Sequence, residues 1–314
     1  MSNHLLIEFE VKLIRKLSVR TAARSLIMKN SYTHASYYAF KYKTLHHQNF
    51  SKYEEDEQKI LKEIQKKGYY IIPNFVDKEF CDKCIKDADY LLDNKKELLV
   101  HNTSDIRIYG VEKLSPTFKP FAENEFLNNI ANHYNQMETH NAWTQTSRVK
   151  YFPGNTGASA GWHRDSKDRQ FKAILYLNDV TENNGPYQII EGSHKWLQIL
   201  KDNHNSQHPY ANNRFIEEEI EKILKNRKEK LKTIIGKAGT VILKDCSAIH
   251  RGSPLKSEGV RYVITNYFFV KQKINRRLVE YFAPVVNPEQ VLKLVKPNFE
   301  PNPEIISKKP SKNL

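Results

Sequence analysis

The chain has 314 residues, enough for one large or two modest domains. Hydrophobic residues make up 39% and charged residues 27%, and no apolar run reaches the roughly 18 to 20 residues of a spanning helix, which excludes a helical membrane protein. The three cysteines, Cys81, Cys84 and Cys246, exclude a disulfide scaffold and fit a reducing compartment. The net charge is +14, and the first 52 residues carry half of it, nine bases against Glu8 and Glu10. Such an excess attracts anionic partners, whether acidic lipid, nucleic acid or a phosphorylated substrate.

Leu5 to Met28 reads as a basic amphipathic helix, with Leu6, Phe9, Leu13 and Leu17 at helical spacing. It suits either the surface of an anionic membrane or the flank of the main domain. Glu8 and Glu10 interrupt its apolar segment, so it does not read as a secretory signal, and a cytoplasmic protein is expected, with peripheral membrane contact as one of the two readings of the arm. Tyr32 to Phe50 interleaves aromatics with bases but carries no known nucleic-acid module, so a nucleic-acid partner is not expected. Tyr53 to Lys67 is a charged helix closed by Gly68, and Tyr69 to Ile72 is a strand. Asp77 is placed to cap a helix from Lys78 to about Asp93, which contains Cys81 and Cys84. With no second ligand pair in sight, those thiols read as structural. A strand from Ile106 to Val111 and one or two short helices within Pro116 to Asn135 complete a flank.

From Ala142 the texture becomes β-rich. Runs at Ala142–Phe152, Gly161–Asp165, Phe171–Leu177, Tyr187–Ile190, Leu231–Ile235, Val241–Lys244 and Arg261–Val270 alternate with Gly, Pro and Asn turn signals. That pattern predicts a sandwich or barrel, interrupted by one charged helical insertion, Phe215 to Lys230. The expected organisation is a basic arm (1–52), a helical flank with short strands (53–141), a β core (142–270) and a Pro-rich C-terminal arm (271–314).

The chemistry gathers at Trp162-His163-Arg164-Asp165. On a strand, His163 and Asp165 project to one face and Arg164 to the other. His250 follows in Asp245-Cys246-Ser247-Ala248-Ile249-His250. Two imidazoles and a carboxylate on one face of a metal, with the opposite positions open, form the facial triad of non-haem Fe(II) oxygenases. A turn from Gly252 to Gly259 leads to Arg261, which an antiparallel hairpin would bring beside His250. Its planar guanidinium suits the far carboxylate of a keto acid that chelates the metal.

Four pieces together resemble the phytanoyl-CoA dioxygenase family of Fe(II)/2-oxoglutarate oxygenases, over roughly Thr144 to Phe269. They are Trp162 to Asp165, Tyr176 to Pro186, Glu191-Gly192-Ser193-His194-Lys195-Trp196, and His250-Arg251-Gly252-Ser253 with Arg261 beyond. The resemblance implies a mainly β protein with flanking helices, built on a double-stranded β-helix or jelly roll. It implies Fe(II) on His163, Asp165 and His250, with 2-oxoglutarate and O2 as co-substrates. The reaction implied is decarboxylation to succinate with hydroxylation of an unactivated C–H bond. Arg261 would hold the C5 carboxylate, Lys150 a polar contact to 2-oxoglutarate, and Thr146 a contact to substrate. His194 reads as structural. Glu191 stands where the family often has Pro, which leaves the ligands untouched. Asp165 occupies the place that halogenating relatives give to a small residue, so hydroxylation is favoured. The substrate class left open is an acidic or membrane-associated small molecule or glycolipid. The rival readings are a non-catalytic jelly-roll binding protein on an anionic surface, and a cupin-type metal enzyme with no need of Arg261.

Overall fold

The computed structural model describes residues 50–101, 105–166, 170–209 and 212–270. The basic arm, apart from its last few residues, and the Pro-rich C-terminal arm lie outside them. Helix α1 (Glu55–Lys67) opens with three acidic residues and closes with two lysines, each favourable to the helix dipole. Gly68 ends it at φ 96°, a left-handed position in which its N–H still reaches the Ile64 carbonyl. Strand β1 (Tyr69–Ile72) follows, then α2 (Lys78–Asn94), whose Asp77 cap accepts a bond from Phe80 N–H as the sequence predicts.

Beyond α2 come β2 (Val100–His101), β3 (Asp105–Tyr109), the short α3 (Lys119–Ala122) and α4 (Glu125–Asn135). Strand β4 (Thr139–Lys150) opens the run of long strands, followed by β5 (Phe171–Tyr176) and β6 (Tyr187–Ile190). Helices α5 (Trp196–Ser206) and α6 (Glu217–Leu224) intervene before β7 (Leu231–Ile234), β8 (Val241–Asp245), β9 (His250–Gly252) and β10 (Val260–Val270).

The strands form two antiparallel sheets. The larger has the order β1-β8-β5-β10-β4-β3-β2, and the smaller has the order β7-β6-β9. The short strands of the expected flank thus join both edges of the large sheet. Single bridges from His163 to His250 and to Arg214 extend the small sheet past β9. On the outer face of the large sheet, Phe171, Ala173, Leu175, Val241, Leu243 and Phe268 pack on the apolar sides of α1, α2 and α4. Strand periodicity turns the alternate residues inward, where Tyr176, Ile242 and Val263 meet Tyr187, Ile189 and Ile234 of the small sheet. This apolar plug fills part of the space between the sheets, while the charged inward residues surround a cavity.

Three readings of the sequence are corrected here. Gly161–Asp165 is no strand, because only His163 finds a ladder partner. The expected hairpin between His250 and Arg261 does not form. Strand β9 pairs with β6 in the small sheet, whereas β10 lies between β4 and β5 in the large one. The 253–259 turn crosses between sheets because β10, buried on both faces, takes ladder partners along both edges. Helix α5 escaped periodicity because its buried side is polar, with Asp202, Asn203 and Ser206 beside Ile199.

Gly157 packs the loop before the His-x-Asp segment against β9. It has φ +79°, and a methyl group there would lie 2.1 Å from the Gly252 carbonyl oxygen. Gly157→Ala is therefore expected to cost about 1–3 kcal/mol through backbone strain alone. Urea unfolding checks this, and an unchanged midpoint at unchanged slope would refute the packing argument.

Candidate active site

His163, Asp165 and His250 converge, with one ligand atom from each lying within 4.8 Å of the others. Backbone pairing holds them: His163 N–H donates to His250 O, and His250 N–H donates to His163 O, both at 2.9 Å. Asp165 N–H is fixed by the Cys246 carbonyl at 3.0 Å. Each imidazole donates through Nδ1 to a carbonyl two residues away, His163 to Gly161 at 2.9 Å and His250 to Ala248 at 2.8 Å. A carbonyl only accepts, so both Nε2 atoms carry lone pairs toward the centre. They lie 3.5 and 3.4 Å from the two Asp165 carboxylate oxygens. The two Nε2 atoms and an Asp165 oxygen would hold a divalent metal between them.

Arg164 turns away from the centre, as alternation predicts, and its role was not legible. Its buried guanidinium donates to the Ser193 carbonyl at 2.6 Å, to the Ser247 carbonyl, and to Asp202 at 3.3 Å. Arg227 shares Asp202 at 2.9 Å. This network ties the His-x-Asp segment to the Gly-Ser-His turn and to the loop before His250. His194 takes no part in the triad and bonds to the Gln65 carbonyl through Nε2 at 3.0 Å.

The triad borders a cavity of about 100 Å³. Gln145, Ser147, Lys172, Lys244, Arg107, Asp105, Tyr187 and Tyr267 line it, none of which the sequence reading singled out. Their signal was present but weak, for they occupy the inward positions of β3, β4, β5, β6, β8 and β10. Lys172 Nζ lies 3.0 Å from Asp165 Oδ2, and Lys244 Nζ lies 3.4 Å from the same atom and 2.6 Å from His250 Nε2. Burial alone would raise the Asp165 carboxyl, but these two ammonium groups outweigh it and hold it well below the usual range. Burial, together with Lys244 and His163, lowers the His250 imidazole to about 3. Burial lowers Lys244 against the pull of Asp165.

Arg261 also lines the cavity. Its guanidinium is buried, 4% exposed, and no hydrogen bond or ion pair answers it among the described residues. Gly252 and Gly185 leave room for it, since a Cβ at Gly252 would come within 2.8 Å of one guanidinium nitrogen. Asp105 acts on it only from beyond ion-pair distance, and a buried arginine without a hydrogen-bonded acid is costly unless an anion arrives. These residues therefore fit both Fe(II) and a keto diacid. The two remaining sequence-based candidates lie elsewhere. Thr146 sits on β4 between the pocket-lining residues Gln145 and Ser147, so its side chain faces the opposite side of the sheet. Lys150 ends β4 exposed, outside the cavity lining.

A two-sheet jelly roll with this triad and a buried arginine at one cavity defines the class of Fe(II)/2-oxoglutarate oxygenases. The profile of the phytanoyl-CoA dioxygenase family matches residues 64–263, and the chain belongs to that family. An ectoine dioxygenase of Bordetella bronchiseptica is 25% identical over 157 residues, 46% of this chain and 50% of that protein. The chain thus matches half the length of that relative. Among solved structures, EctD from S. alaskensis with bound Fe has a TM-score of 0.53 at 16% identity, covering 72% of this chain and 79% of that one. The epimerase SnoN with Fe3+, alpha ketoglutarate and nogalamycin RO has a TM-score of 0.53 at 15% identity, covering 68% and 83%.

His163→Ala is expected to weaken divalent metal binding on the order of 100-fold or more, since loss of even an outer supporting residue costs 10- to 100-fold. Calorimetric titration with Fe(II) under anaerobic conditions checks the assignment, and wild-type affinity would overturn it.

Proposed function

We propose that this chain is a dioxygenase that uses Fe(II) and 2-oxoglutarate to hydroxylate an unactivated C–H bond of a small acidic molecule. The observation that carries the reading is the unanswered Arg261 guanidinium in the same cavity as the converged triad. A non-catalytic binding protein would have no use for both. His163, Asp165 and His250 hold the metal on one side and leave its other positions to ligands. Arg261 anchors the C5 carboxylate of 2-oxoglutarate, and this orients the keto acid toward the metal. When bound, the metal and keto acid together supply the oxidation, in which 2-oxoglutarate and O2 become succinate, CO2 and one oxygen atom for the substrate. The protein contributes position and a fixed imidazole tautomer. Lys150 and Thr146 have no part in this scheme.

A small-molecule substrate agrees with relatives such as EctD, whose structure holds 2-oxoglutarate and 5-hydroxyectoine at a TM-score of 0.52 and 18% identity. No helix of the described residues is long and apolar enough to cross a membrane. The basic arm supports a reversible contact with an anionic surface, which would place a glycolipid or other membrane-associated acid within reach. Co-sedimentation with anionic and neutral vesicles, with and without residues 1–52, tests that contact. Equal binding to both vesicle types would remove it.

Arg261→Ala is expected to weaken 2-oxoglutarate binding by about 2–4 kcal/mol, roughly 30- to 1000-fold, while sparing the metal. Anaerobic titration of the Fe(II)–2-oxoglutarate absorption band reads this directly. An unchanged midpoint would place the anchor elsewhere. Succinate release against a panel of acyl, amino-acid and sugar acids then identifies the substrate.

A further inference from the structure

Lys172 and Lys244 are directly paired residues of the β5–β8 ladder. Both project to the inner face, where the next pair of the ladder on that face, Ile174 and Ile242, is apolar. Both are buried, 6% and 2% exposed. Like charges directly opposite on one face destabilise a sheet, so the pair needs an anion. Their shared partner is Asp165 Oδ2, at 3.0 and 3.4 Å. Lys244 Nζ also lies 2.6 Å from His250 Nε2, a nitrogen that the metal would take up. The other contacts of the ammonium groups are ring faces, Lys172 at 3.9 Å from the centre of Tyr267 and Lys244 at 5.1 Å from that of Tyr187. Among the described residues no second carboxylate pairs with either one.

A metal on the triad changes this balance. Asp165 then faces a dication as well as two ammonium groups. The two charges of 2-oxoglutarate are already committed, one to Arg261 and one to the metal. The remaining cation of the cavity, Arg107, is answered by Asp105 at 2.8 Å. Two amines therefore stay short of negative charge, side by side, on the wall of the same cavity.

We propose that Lys172 and Lys244 together form a subsite for an oxyanion of the substrate, a carboxylate or a phosphate held beside the metal. This rests on the proposed oxygenase reading and narrows its substrate class. Paired amines on neighbouring strands grip a compact oxyanion from two directions, each with a charge-assisted hydrogen bond. A substrate that presents a cation to this wall is rejected, because repulsion in a buried site is strong.

The test uses anaerobic protein loaded with Fe(II) and 2-oxoglutarate. Inorganic phosphate is titrated at constant ionic strength while the absorption band of the complex is followed, with benzoate in a parallel arm to separate phosphate from carboxylate. A saturable response to either probe is expected. Lys172→Gln and Lys244→Gln should each weaken it roughly 10- to 100-fold, the loss of one charge-assisted bond. Lys244→Arg, which keeps the charge, should restore most of it. Arg261→Ala should leave probe binding intact once 2-oxoglutarate is raised to saturation. Probe binding that is unchanged in both Gln variants, or that is lost with Arg261 instead, overturns the subsite. Loss of Fe(II) from both Gln variants also overturns it, for the lysines would then only support Asp165. Failure of the wild-type protein to form the Fe(II)–2-oxoglutarate band at all refutes the oxygenase reading first, and the subsite with it.

Discussion

Two backbone hydrogen bonds between His163 and His250, each 2.9 Å, are the constraint on which the site depends. They join a loop residue to a three-residue strand and so bring two imidazoles from distant parts of the chain to one point. The Nδ1 bonds to Gly161 and Ala248 then set both rings in the tautomer that offers Nε2. Neither histidine has freedom to reorient without breaking a buried bond, which costs more than the bond contributes when made. Arg164, on the reverse of the same segment, secures the arrangement from behind by tying three turns together.

Charge is the second organising quantity. The cavity collects four cationic side chains, Arg107, Lys172, Lys244 and Arg261, against two carboxylates, Asp105 and Asp165. Burying such an excess opposes folding, and proteins keep it where ligands repay the desolvation. The layering of the fold makes it tolerable. Helices α1, α2 and α4 cover the outer face of the large sheet with a continuous apolar core, and the isoleucines below the lysine pair add a second apolar layer between the sheets. The stabilising burial is thus concentrated away from the cavity, which is free to carry polar groups that a compact core would reject.

The family model fixes the fold and the triad sits at one cavity of it, while function lives in the side chains grafted onto that fold. Here the cavity wall is basic. Its inward residues come from β3, β4, β5, β6, β8 and β10, and no single loop supplies them.

Much of this was readable from the residues in order. The His-x-Asp spacing brought His163 and Asp165 together and set Arg164 apart although the segment is no strand, turn residues marked most strands, and the motifs around His250 and Arg261 pointed to a metal with a keto acid. The helix caps at Gly68 and Asp77 followed from local chemistry alone. Other features depended on which segments lie side by side. Arg261 reaches the site from the opposite sheet and not across a hairpin, because β10 is a central strand with partners on both edges. Thr146 and Lys150 fell away from the cavity once the register of β4 was set. Helix α5 was hidden because its buried side is polar and serves Arg164 through Asp202. Periodicity records how a side chain alternates along its own strand, but it holds nothing about the neighbouring strand. Lys172 and Lys244 became a pair only when tertiary packing laid β5 and β8 in register.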